Sequence, residues 1–114
     1  MKIDSYAFGH IVIKGKSYTS DVIIYDDRVD ASWWRREGHL LQWPDITDIV
    51  KAKPDILIIG SGYSGIMSVP QELVDRIASL GIDVIVEKTT KAVELFNSLQ
   101  RKKSHVIAAF HITC

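Results

Sequence analysis

Residues 54–65 read Pro-Asp-Ile-Leu-Ile-Ile-Gly-Ser-Gly-Tyr-Ser-Gly, and they limit what this chain can fold into more than any other stretch. From Asp55 to Ile59 the run is apolar and β-branched, with no polar alternation. Such a run reads as a strand buried on both faces, as in parallel sheets covered by helices. It flows straight into Gly60-Ser61-Gly62-Tyr63-Ser64-Gly65, the G-x-G-x-x-G spacing of a dinucleotide-binding turn. Glu87 closes the next predicted strand 22 residues after Gly65, where such folds place a ribose-binding carboxylate.

The helix start argues against a dinucleotide. A pyrophosphate needs the helix to begin inside the glycine motif, so that its first N–H groups face the ligand. Here the predicted helix begins at Ser68 or Val69, beyond Ile66 and Met67. The motif therefore opens a loop, and the chain has too few parallel strands for two mononucleotide halves. The favoured reading is a tight turn with close backbone approach. A small-anion or metabolite site is the next reading, and a dinucleotide site the last.

The remaining pattern surrounds that strand. Tyr6–Lys14, Tyr18–Tyr25 and Arg28–Trp33 read as three strands joined by turns at Gly15-Lys16 and Asp26-Asp27, an antiparallel meander. A short helix starts near Pro44, carries Ile46, Ile49 and Val50 on one face, and stops at Pro54. Ser68-Val69-Pro70-Gln71 matches a capping box ahead of Leu73, Val74, Ile77 and Leu80, and Gly81 suits the helix end. Ile82–Glu87 is a strand. Thr89 or Thr90 caps a third helix bearing Ala92, Val93, Phe96 and Leu99, with Arg101, Lys102 and Lys103 near its end, where cations favour the dipole. His105–Ile112 is the last strand. Strands joined through helices favour parallel pairing. The expected class is α/β: one domain over residues 1–114, three layers, a mixed central sheet flanked by helices, and an N-terminal antiparallel β portion.

Fourteen basic and fourteen acidic residues cancel, so no overall cationic field points to nucleic acid or an anionic membrane. No apolar run approaches the ~20 residues of a membrane span, and the N-terminus lacks the apolar core of a signal peptide. The single cysteine, Cys114, forbids an intrachain disulfide and favours a reducing compartment, hence the cytoplasm. Metal binding is not expected: His111 and Cys114 fall on opposite strand faces, and no His pair has helical spacing.

Trp33-Trp34-Arg35-Arg36-Glu37-Gly38-His39 concentrates two indoles, two guanidiniums, a carboxylate and an imidazole in seven residues. Arginine can clamp carboxylate or phosphate, and histidine can shuttle protons. Adjacent strand residues face opposite ways, so one tryptophan can be core while the other covers a loop. The arginines could equally pair with Glu37 or with exposed aspartates.

The segments Trp34–His39, Ile58–Gly62, Val69-Pro70, Gly81–Val84, Thr90 with Ala92, Phe96, Asn97 and Leu99, and Phe110–Cys114 together resemble a small single-domain family. That family includes the human adipogenesis-associated Mth-domain protein and the mitochondrial complex I assembly factor three, along with many uncharacterised bacterial and archaeal members. The resemblance implies a three-layer fold with a mixed sheet. It implies no reaction and no catalytic residue. Its mitochondrial branch implies a role in assembling a respiratory complex.

Two functions follow as expectations. The first is a non-enzymatic accessory or assembly-type domain that binds a protein partner, because an exposed tryptophan beside arginines has hot-spot composition. The second is a metabolite- or anion-binding protein or small enzyme, with the Gly60–Gly65 loop rimmed by Arg35, Arg36 and His39. The candidate site residues are Trp34, Arg35, Arg36, His39, Gly60, Ser61, Gly62 and Tyr63. No cofactor is expected, and a homo-oligomer is compatible with either function. At least one of Trp34, Arg35, Arg36 and His39 should contact the glycine loop or a neighbouring subunit.

Overall fold

Alternation along the strands sorts the side chains into two cores. A computed structural model describes residues 1–100 and 105–114. In the last strand, β8 (Val106–His111), Val106, Ala108 and Phe110 face one side of the sheet while Ile107 and Ala109 face the other. In β6 (Ile56–Ser61), Ile58 joins the first set and Leu57 and Ile59 the second. A strand that is apolar on both faces needs cover on both, and it has it. On one face α1 (Thr47–Lys51) and α2 (Gln71–Ala78) supply Ile49, Leu73 and Ile77, with Trp33 beside them. On the other face α3 (Thr89–Leu99) supplies Ala92, Val93 and Phe96. Next to α3, a three-stranded meander of β1 (Ile3–Ala7), β2 (His10–Ile13) and β3 (Lys16–Tyr18) adds Ile3, Ile11 and Ile13. The predicted class is the observed one.

With β4 (Val22–Ile24), β5 (Val29–Asp30) and β7 (Asp83–Glu87), the central sheet runs β5-β4-β8-β6-β7. β6 is parallel to β7 and β8, and β4 is antiparallel to β8 and β5. From β6 the chain crosses through α2 to β7, then returns through α3 past β6 to β8. The two crossovers lie on opposite faces. The carboxyl ends of β6 and β8 are therefore the switch point, where open α/β sheets characteristically hold ligands. Both the glycine loop and His111 emerge there.

Several local expectations are corrected. Tyr6–Lys14 is not one strand: Gly9, at φ +74°, turns β1 into β2. Tyr18–Tyr25 is also divided, because β3 pairs within the meander and β4 within the main sheet. The third strand shrinks to Val29–Asp30, and Trp33 and Trp34 lie beyond it. The capping box does not form. Ser68 is engaged through its backbone, donating N–H to the His39 carbonyl and accepting from Leu41 N–H, so α2 starts after Pro70. Neither Thr89 nor Thr90 caps α3. The N-cap position is Lys88, and the Thr89 hydroxyl is used elsewhere. Arg101, Lys102 and Lys103 lie outside the described residues.

Candidate site at the carboxyl ends of the central strands

Antiparallel register places a carboxylate opposite His111. Val22 pairs with Phe110 and Ile23 with Ala109, so Asp21, one residue before β4, falls across from the end of β8. Its Oδ1 accepts the Ile112 N–H at 2.8 Å. Its Oδ2 lies 2.9 Å from His111 Nδ1 and 2.7 Å from Arg35 Nη2. Arg35 Nη2 is also 3.0 Å from His111 Nδ1 and donates to the Gly38 carbonyl at 3.0 Å. A protonated Nδ1 donates to Asp21, and an unprotonated one accepts from Arg35. Burial alone would raise the Asp21 carboxyl. The contacts from His111, the Ile112 N–H and Arg35 outweigh it, and the net shift is downward from 3.8.

Arg35 is only 8% exposed. Its guanidinium lies 4.6 Å over the Trp33 ring, a cation–π contact that covers a face no hydrogen bond uses. Among the described residues, Arg35 Nε and Nη1 and His111 Nε2 are buried without a protein partner. The His39 ring meets His111 edge to face at 5.7 Å.

Trp33 and Trp34 part company as alternation requires. Trp33 is buried and donates its indole N–H to the Asp45 carbonyl at 2.9 Å. Trp34 is 75% exposed. Arg36 and His39 are exposed as well. The backbone between them is held at several points: Arg36 N–H on Asp45 Oδ1, Gly38 O on Arg35, and His39 O on Ser68 N–H.

The glycine loop is satisfied internally. Gly62 N–H donates to Thr89 Oγ1 at 2.9 Å, and the same hydroxyl donates to the His111 carbonyl at 2.6 Å. Ser61 donates its hydroxyl to the Glu87 carbonyl. Tyr63 N–H donates to the Thr113 carbonyl, and Ser64 and Ile66 N–H both donate to one oxygen of Cys114. At Gly62, φ is +108° and an added Cβ would sit 2.3 Å from the Cys114 carbonyl carbon. At Gly60 it would meet Phe110 and Thr89 at 2.7 and 2.8 Å. Close backbone approach is what these glycines provide. The displaced helix start is also observed, since α2 begins at Gln71.

Tyr63 points outward at 52% exposure, between Tyr6 at 6.4 Å and Phe8 at 6.0 Å between ring centres. Burial pushes the Tyr6 hydroxyl up to about 12, and that hydroxyl donates to the Ile112 carbonyl.

The two conspicuous segments thus meet at one end of the sheet. Arg35 touches His111, and His111 is joined to Gly62 through Thr89. The link is a relay through β8, not a rim of arginines around an open loop. Cavities of about 440 and 340 Å³ lie elsewhere, one beside Lys53, Asp55 and Leu80, the other beside Trp43, Pro70 and Arg76. Sequence reasoning missed Asp21, Thr89 and Asp45 as organisers. Their signal is pairing register and tertiary contact, which no local pattern carries.

This arrangement sits in a fold with known relatives. The chain belongs to the family of proteins of unknown function DUF498/DUF598, whose model matches residues 3–111. It is similar to a conserved hypothetical protein from Pyrococcus horikoshii, at 27% identity and a TM-score of 0.84 over the whole of both chains. An outer membrane protein from Bartonella henselae matches at 22% identity and a TM-score of 0.82, covering 98% of this chain and 94% of that one. A Mth938-like domain from Bordetella pertussis matches at 17% and 0.70, covering 97% and 85%. The latter two show the shared fold alone. Among the described residues, no helix is long and apolar enough to cross a membrane.

Proposed function

We propose that this chain is a non-enzymatic accessory domain that binds a protein partner through the exposed aromatic groups at the carboxyl end of the central sheet, with Trp34 as the anchor. The observation that carries this is the contrast between Trp34 and its neighbour. A 75% exposed indole stands on backbone fixed by a buried arginine–aspartate–histidine cluster. Fixing an exposed aromatic in advance lowers the ordering cost of association, which is how hot-spot residues gain affinity. Arg36 and His39 flank it, and Tyr63 and Phe8 extend apolar area at the same end of the sheet.

The metabolite reading uses the Gly60–Gly65 loop with Arg35, Arg36 and His39, but Arg35 is buried and its Nη2 is paired with Asp21. That weighs for the protein partner. The resemblance to the complex I assembly factor supports an assembly-type role as part of the same proposal. The neutral charge balance and sole cysteine support a cytoplasmic setting without nucleic acid.

The test is site-specific photocrosslinking. A benzophenone residue at position 34 should give one discrete adduct in the native cell, and the same residue at the exposed Lys14 should not. Arg36→Ala should weaken the adduct while leaving the thermal midpoint unchanged. A position-34 probe giving no adduct beyond the control, together with thermal stabilisation by phosphate or carboxylates that Arg36→Ala and His39→Ala abolish, would favour the metabolite reading.

A further inference from the structure

We propose that the open edge of the central sheet, β7, binds an extended basic peptide by strand addition. This goes beyond the partner surface above, because it concerns another edge and another mode of recognition. β7 ends the strand order β5-β4-β8-β6-β7, and among the described residues no strand pairs with its far side. The opposite edge, β5, is only Val29–Asp30. Asp83 is set opposite Ile56, and its N–H donates to the Asp55 carbonyl at 2.9 Å. In a parallel ladder, the backbone groups of every second residue then turn to that same neighbour. Asp83, Ile85 and Glu87 therefore bond to β6, and the N–H and C=O groups of Val84 and Val86 point outward. An unpaired row of this kind is a template for another strand.

The side chains select which strand. Ile85 packs against the core beneath α3, and Val84 against the core beneath α1 and α2. By alternation Asp83 and Glu87 share the Ile85 face, about 13 Å apart along the strand. Val86 shares the Val84 face and is 37% exposed. Among the described residues, neither carboxylate has an ion-pair partner. The nearest cation in sequence, Lys88, lays its stem along Gly65. A second copy is the wrong occupant. Two β7 strands paired antiparallel over their full length would set Asp83 against Glu87 twice, and like charges directly opposite destabilise. A strand with lysine or arginine at two positions four apart turns both pairs attractive, and apolar residues beside them meet Val84 and Val86. The edge is closed to itself and open to a basic segment.

The probe is the capped peptide Gly-Ser-Lys-Val-Thr-Val-Lys-Ser-Gly, against a control with glutamate at both lysine positions. The readout is the amide spectrum of the full chain. The lysine peptide should shift the Val84 and Val86 amides saturably at concentrations on the order of 0.1–1 mM, and slow their hydrogen exchange. The glutamate peptide should bind at least about tenfold more weakly. Exchanging the charges, with Asp83→Lys and Glu87→Lys together, should reverse the preference. Trp34→Ala should leave binding of the lysine peptide unchanged, so this edge and the Trp34 surface are tested separately.

If the double variant does not fold, the parent decides through the two peptides. No saturable shift with the lysine peptide, equal binding of both peptides, or shifts confined to residues away from β7 would overturn the proposal. So would Val84 and Val86 amides that become protected with rising protein concentration alone, because a second copy then fills the edge.

Discussion

The Gly60–Gly65 loop and the Trp33–His39 segment end at the same edge of the sheet and solve opposite problems. The loop has many backbone donors and little side chain. Its donors are met by Thr89, Thr113 and Cys114 at distances that only glycine permits. The other segment has large side chains and an unremarkable backbone. It divides them, burying Trp33 and Arg35 and leaving Trp34, Arg36 and His39 outside. A motif that advertises ligand binding is closed on itself, while a motif that reads as ordinary charge supports an exposed display. The lesson is that a glycine pattern reports close approach first, and the approaching group can be the chain itself.

The comparison breaks most readily at the glycines. Gly62→Ala should destabilise by about 2–6 kcal/mol, combining strain at positive φ with overpacking against Cys114. Gly38→Ala, in the other segment, should change stability by less than about 1 kcal/mol, because its Cβ would meet nothing within 4 Å among the described residues. Denaturant midpoints of the two variants measure this directly. Equal midpoints would show that the loop's glycines serve something other than close approach.

Asp21 comes next, since it joins the two regions. Asp21→Ala should cost about 3–5 kcal/mol by leaving Arg35 charged, buried and unpaired. Asp21→Ala combined with Arg35→Met should recover much of that loss, because the orphaned charge is gone. A double variant no more stable than Asp21→Ala would mean that Asp21 acts through the Ile112 N–H, not through the arginine.

Asp21 also marks the boundary of what the sequence discloses. The three layers, the parallel core strand and the displaced helix start are legible because hydrophobic period and proline position are local signals. The separation of Trp33 from Trp34 is legible for the same reason. The Asp21–Arg35–His111 cluster is not, because it needs the register of β4 on β8, and register is a tertiary fact. Thr89 misleads for a related reason. A threonine at a helix start looks like a cap, yet its hydroxyl is drawn to the backbone of two other elements. Ser68 and Gln71 satisfy the capping-box spacing, but Pro70 and the pairing of Ser68 with residues 39–41 fix the helix start later.

A smaller effect follows from acid. The Asp21 carboxyl titrates below its ordinary 3.8 in the folded state, so the folded form holds its proton less tightly than the unfolded form. Its stabilising contribution is therefore complete above the unfolded value and is lost as pH falls through the folded one. The stability difference between the parent and Asp21→Asn should be constant near neutrality and shrink below about pH 4. A difference that grows on acidification would reverse the sign and assign the titration to a histidine.

The smallest effect is the most diagnostic of function. Trp33→Ala and Trp34→Ala remove the same side chain at adjacent positions. Trp33 is 8% exposed, stacks on Arg35 and donates to Asp45, so its loss should cost about 3–5 kcal/mol. Trp34 is exposed, and Trp34→Ala should leave stability within about 0.5 kcal/mol of the parent. If Trp34→Ala abolishes the adduct formed by a benzophenone residue at the neighbouring exposed position Glu37 while stability stays level, the indole is a contact residue. If Trp34→Ala instead unfolds the chain by as much as Trp33→Ala, the indole belongs to the core, and the proposed partner surface loses its anchor.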